Sequence, residues 1–341
     1  MQWVMGKQPP VTFDQYRATR QFSALDGLRA VAIFLVFSLH FGGETWGHLS
    51  GWLGVQMFFV LSGYLITTLL LRERDLSGSI ALRAFYIRRA FRILPMFLLV
   101  YVMVMGQSYL AADDSWANMK AASPYYLTFL NEFAPFAPLK MTWTLGIEWK
   151  FYFLWPAILA AAGMVARTRF ILVIACISVL ALSWFKGFHV DWIQPFQYQV
   201  MLFGCAAAVI LNYRKTYDLV RVLATNTAVF SLVTVLCIVH WKSIWIAEKI
   251  GLAQLIVAYG LLIALLIPAL VSETIAQTVI GSRPFVFVGR RSYSMYLIEL
   301  LAAQAVQGLL PQIHFGPLFL PVCFIVALVA SDCLYRWIEN R

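Results

Sequence analysis

Arg29 and His40 stand eleven positions apart, and every residue between them except Ser38 is apolar. At about 100° per residue, eleven steps close about three helical turns, so on a helix both side chains leave one face. The rise between them is about 16 Å, roughly half a bilayer core. A guanidinium and an imidazole held in line at two depths of a membrane are costly to keep unless they are used. The imidazole can act as a general base on a hydroxyl near neutral pH. It can equally be a snorkelling or interhelical partner, and Arg29 can pair with Asp26 one turn earlier.

Other residues could join such chemistry. Glu148 lies about two turns into the apolar run that opens WTLGIEWKFYFLWP, at a depth comparable to that of His40. A Glu148–His40 contact is therefore expected to be sterically possible, and it would orient the imidazole and raise its basicity. Pairing of Glu148 with Lys150, or its facing a water-filled crevice, is the plainer alternative. Ser292, Tyr296 and Glu299 fall at i, i+4 and i+7, one polar stripe on an otherwise apolar helix. Such a stripe lines a cavity or glues helices together. Arg89 and Arg92 are three apart, hence helical neighbours, and arginine forks match phosphate geometry. The surrounding segment 72–92 reads as an interfacial helix running into the next apolar run.

The elements that must position these residues are transmembrane helices. The 341-residue chain is 61% hydrophobic and 12% charged, and its apolar runs are continuous rather than alternating. The expected fold is all-α, a polytopic bundle of about ten spans at 28–42, 52–71, 93–111, 142–163, 170–186, 195–212, 225–241, 250–271, 292–310 and 318–337. With the N-terminus in the cytoplasm, 19 Lys and Arg fall on that side and 5 on the other, which favours cytoplasmic termini. The net charge of +10 is then a topology signal spread along one membrane face, and nucleic acid is not an expected partner. Residues 1–22 read as a cytoplasmic segment and 23–341 as one membrane domain, with neither a cleaved leader nor an appended soluble domain expected. The stretch 112–141 reads as a partly ordered outer loop. The five cysteines read as small apolar residues. No GxSxG elbow or Walker loop occurs, and the His40, Glu44 and His48 series is broken by glycines, so no metal site is expected.

Five stretches in order, FSALDGLRAVAIFLVFSLHF, GWLGVQMFFVLSGYLI, FYIRRAFRILP, WTLGIEWKFYFLWP and RRSYSMYL, resemble the acyltransferase-3 family of bacterial membrane O-acyltransferases. The resemblance covers about residues 22–339. It puts the family's Arg-x10-His motif on Arg29 and His40, its Arg-x-x-Arg motif on Arg89 and Arg92, and its Trp-Ser-Leu-x-x-Glu segment on Trp143, Thr144, Leu145 and Glu148. Family members often carry a histidine after the Ser-Tyr-Ser-x-Tyr-Leu run, where this chain has Glu299. The resemblance implies an acyl-coenzyme A donor, most commonly acetyl, entering from the cytoplasm of a bacterial inner membrane. It implies an acceptor hydroxyl on a glycan or lipid-linked saccharide. Arg89, Arg92 and Arg29 would then meet the donor, His40 (as general base or as acyl carrier), Arg29 and Glu148 would serve catalysis, and Glu299, Tyr296 and Ser292 would shape the acceptor site. The competing class is a proton-coupled saccharide or lipid transporter with His40 as its coupling site. The lack of an internal repeat weighs against it.

Overall fold

The computed structural model describes residues 11–111, 114–134, 138–163, 171–172, 175 and 195–339. Those residues form helices joined by short turns: α1 (Phe13–Ala18), α2 (Ser23–Phe41), α3 (Gly43–Gly47), α4 (Gly54–Ser77), α5 (Leu82–Leu110), α6 (Ser115–Leu127), α7 (Trp143–Ala162), α8 (Pro195–Leu211), α9 (Arg214–Val220), α10 (Asn226–Ile250), α11 (Leu252–Leu270), α12 (Ile275–Ile280), α13 (Arg283–Leu309) and α14 (Phe319–Leu334). Nine of the ten expected spans fall on one of these helices. The expected span at 170–186 lies outside the described residues except for 171–172 and 175.

Among the described residues six helices are long and apolar enough to cross a membrane, or seven if the pair α8–α9, bent by 111°, is one span. The other expected spans among the described residues are helical but do not meet that length and hydropathy. Two long helices, α7 and α13, fall outside that set. They carry Glu148 and Lys150, and Arg290, Arg291, Ser292 and Glu299, respectively. Their polar residues are tolerated because much of each helix is enclosed by other helices rather than by lipid.

Helix α2 is the hub. It packs on α13, α4 and α14, and most of its length is buried. Lipid offers apolar side chains no worse a home than protein does, so helices associate through close backbone approach and polar contacts. Both devices are present. A Cβ on Gly289 of α13 would stand 1.7 Å from the backbone oxygen of Asp26 on α2. At the α4–α8 crossing, Gly63 and Gly204 leave comparable gaps: a Cβ on either would stand about 2 Å from the other helix's carbonyl oxygens, at 2.0 Å and 2.1 Å.

Polar contacts sort to the two ends of the bundle. One end holds Arg17–Asp75 at 2.8 Å, Arg214–Asp14 at 2.6 Å, and Arg291 and Arg336 sharing Asp332. There the Arg72 guanidinium donates to the carbonyls of Thr19 and Tyr16. At the other end, Ser50 donates to the His240 carbonyl at 3.0 Å, and the His240 ring bridges the Leu49 carbonyl and the Tyr259 hydroxyl.

Two local expectations change. Segment 72–92 is not one helix: α4 runs on to Ser77, Gly78 turns the chain in the left-handed region at φ 77°, and the arginine-rich part then runs into the next apolar run as one helix, the 29-residue α5 from Leu82. The stretch 112–141, expected to be a partly ordered loop, contains the 13-residue α6, which buries Met119, Ala122 and Tyr126. Its fold is fixed further on, where Phe129 stacks on Trp149 at 4.3 Å and buried Glu132 pairs with Lys150.

Candidate active site

The arginine-rich end opens into the bundle. A vestibule of about 870 Å³ is lined by arginines of α2, α5 and α13. It continues into a cavity of about 120 Å³ between α2, α4, α5, α7 and α13. The two share Arg29, Ser62, Arg89, Arg92, Tyr152 and Arg290. Deeper, the cavity wall is Val36, Val55, Phe58, Phe59, Thr144 and Tyr296. The result is a passage that is cationic at its mouth and apolar at its far end.

Six of the eight residues singled out from sequence (Arg29, Arg89, Arg92, Glu148, Ser292 and Tyr296) line this cavity. Arg29 pairs with Asp26 at 3.2 Å, as one of its two sequence readings has it. Arg89 is sandwiched by rings, its guanidinium carbon 5.5 Å from the centre of Phe85 and 5.6 Å from that of Tyr152. Such ring faces hold a guanidinium without consuming its N–H donors.

His40 and Glu299 lie just beyond. Val36 and Tyr296, about one turn before each, line the cavity, while His40 and Glu299 do not. His40 Nδ1 stands 3.0 Å from Glu299 Oε1. The carboxylate side chain is 0% exposed and the imidazole 31%, so only the histidine can be reached from outside. Tyr296 closes the boundary between cavity and pair: its hydroxyl lies 2.8 Å from Thr144 Oγ1 and also donates to the Met141 carbonyl.

The contact expected between Glu148 and His40 is not formed. Glu148 instead accepts a hydrogen bond from Ser62, whose hydroxyl also lies 3.0 Å from that of Tyr152. Its alternative partner, Lys150, is engaged by Glu132. Equal depth was legible in sequence, but the direction each helix faces was not: α13 rather than α7 is packed closely on α2. Glu299, read as part of an acceptor wall, is the group beside His40.

Sequence reasoning passed over Ser62, Tyr152 and Arg290. Tyr152 carried a signal, since it sits one turn after Glu148 on the same helical face. Ser62 carried none, because its role arises from the α4–α7 pairing. Arg290 was counted only as a topology charge. Among the described residues no three His, Cys, Asp or Glu side chains gather as a metal site would require.

The profile of a family described as "Acyltransferase domain", acyltransferase-3, matches residues 22–336. The chain belongs to this family. Among curated relatives, the peptidoglycan O-acetyltransferase OatA of Listeria monocytogenes is 26% identical over 93% of this chain and 55% of its own length. The O-acetyltransferase OatA of Staphylococcus aureus (strain NCTC 8325 / PS 47) is 27% identical over 94% of this chain and 57% of its own. A candidate O-acetyltransferase of S. aureus strain COL, SACOL0978, is 28% identical over 96% of this chain and 58% of its own. The chain thus spans rather more than half the length of these relatives. No solved structure matches it. Its fold and family together describe a multi-helix acyltransferase domain with several helices suited to a membrane.

Proposed function

We propose that this domain moves an acetyl group from acetyl-coenzyme A, bound from the cytoplasmic side at the arginine-rich end, to a hydroxyl of a glycan at the opposite end. The observation that carries the reading is the continuity of one passage. It begins among Arg29, Arg89, Arg92 and Arg290 and ends one turn short of the His40–Glu299 pair. Acetyl and glycan are taken from the three relatives, all named for O-acetyl transfer and one of them for peptidoglycan.

The residues then take distinct roles. The coenzyme's phosphates meet the forks of Arg89 and Arg92, which form charge-assisted, paired hydrogen bonds to phosphate oxygens. The apolar far wall receives the thin thioester arm. The Glu299 carboxylate, 3.0 Å away, keeps the proton on His40 Nδ1, which leaves Nε2 with its lone pair available. That nitrogen takes the proton of the acceptor hydroxyl as its oxygen attacks the thioester carbonyl. The carbon–sulfur bond breaks, and the imidazolium returns the proton to the leaving thiolate. A buried carboxylate fixing the tautomer of a base is the arrangement used by serine hydrolases. Glu148, tied to Ser62 and close to Arg29 and Arg89, offsets part of the cationic charge and orients the polar wall.

The test is consumption of acetyl-coenzyme A by the purified full chain supplied with a glycan acceptor. The reading requires acetylated glycan and free coenzyme with wild type, and neither with His40→Ala. A transporter would leave the donor intact, and wild-type turnover by His40→Ala would end the general-base role.

A further inference from the structure

The vestibule wall holds a charge arrangement that the motif residues do not explain. Asp26 lies 3.2 Å from Arg29 Nη1 and 3.3 Å from Arg290 Nε. One carboxylate, its side chain 12% exposed, therefore holds two guanidiniums from two helices. Gln21 donates to the same carboxylate at 3.4 Å. The closeness has a backbone cause: Gly289, immediately before Arg290, lets α13 approach the Asp26 carbonyl at a distance no side chain would allow.

Both arginines line the cavity and the vestibule. A guanidinium has five N–H donors, and Asp26 engages only part of each set. The vestibule gathers Arg20, Arg29, Arg88, Arg89, Arg92 and Arg290 around a single lining carboxylate, Asp26. Arg88 is answered by Glu73 at 3.6 Å, and Glu148 adds one negative charge deeper in. Several positive charges remain without a carboxylate partner among the described residues. Like charges in a partly desolvated space repel strongly, and a multiply charged anion relieves that repulsion. Two forks clamped side by side suit neighbouring phosphate oxygens.

Resting on the donor reading above, we propose that Arg290, held by Asp26, is a ligand for a phosphate of the coenzyme. It would complete a cluster with Arg29, Arg89 and Arg92 that no single stretch of sequence contains. Asp26 is then a positioning residue: it sets the separation of Arg29 and Arg290 without touching the donor.

Arg290→Gln isolates the claim, because Arg29 still pairs with Asp26 and no buried carboxylate is orphaned. The probe is coenzyme A, titrated calorimetrically into the purified full chain at several salt concentrations, so no acceptor is needed. We expect Arg290→Gln to weaken affinity about tenfold or more, with a shallower salt dependence and an unchanged melting temperature, and Arg290→Lys to recover part of the loss. Wild-type affinity in Arg290→Gln would overturn the inference and leave the donor reading standing. So would a loss that tracks a fall in melting temperature with no recovery by lysine, since Arg290 would then be a brace. Failure of wild type to bind coenzyme A would remove the donor reading and this inference with it.

Discussion

His40 and Glu299 divide their surroundings unequally: the imidazole is about one-third exposed, at 31%, and the carboxylate fully enclosed at 0%. A carboxylate so enclosed is costly unless its charge is answered, and the imidazole is its charged-group partner among the described residues. The proposed base therefore depends on a specific neighbour. His40→Ala should lower turnover by about 10²–10⁴-fold, the range expected for a lost acid–base group. Glu299→Gln should fall in the same range with the Michaelis constant for the donor little changed, because the pair lies beyond the donor cavity. Equal turnover by Glu299→Gln and wild type would remove the orienting role. Arg89→Ala should instead raise the donor's Michaelis constant more than the acceptor's, and the reverse would displace Arg89 from the donor site. Of these residues, the types and spacings of Arg29, His40, Arg89 and Arg92 were legible in sequence. The partner of His40 was not. Glu148 and Glu299 are both carboxylates at suitable depth on separate helices, and only tertiary packing decides which one faces α2.

The α2–α13 pair is the element that makes this choice. Gly289 lets the two backbones approach, which brings Asp26 against Arg290 at one level and His40 against Glu299 about four turns further along α2. The stripe Ser292, Tyr296 and Glu299 is what periodicity announced: all three side chains turn toward the same passage and its far end. What periodicity could not announce is that the stripe ends on a histidine. Gly289→Ala should force the helices apart and destabilise the fold by at least about 1–3 kcal/mol, the usual cost of overpacking. The readout is the melting temperature in detergent, together with a loss of turnover out of proportion to any change at a single side chain. An alanine variant as stable as wild type would mean that the α2–α13 spacing does not rest on this glycine. The helical character of α5 was similarly legible, as was its continuation into the next apolar run; the break at Gly78, which gives residues 72–77 to α4 and residues from Leu82 on to α5, was not.

For the whole molecule, composition alone announced a helical membrane bundle, and the helices obey it. The count of spans was less legible. Hydropathy rewards lipid-facing helices, and the two helices that carry most of the site's polar residues, α7 and α13, are partly shielded by their neighbours. The clustering of arginine–carboxylate pairs at one end supports the proposed cytoplasmic orientation of that end through the bias of basic residues. In a cysteine-free background, Ser79→Cys should stay shielded from a membrane-impermeant thiol reagent in intact cells, while Thr45→Cys should be labelled; the opposite pattern would invert the orientation. The most direct measurement of the central claim, that the His40–Glu299 pair at the end of an arginine-lined passage transfers an acyl group, is mass spectrometry of cell-surface glycans. The comparison is between cells carrying the wild-type protein and cells carrying His40→Ala at equal membrane levels. The account predicts acetylated glycan in the first and its absence in the second, and equal acetylation in both would contradict it.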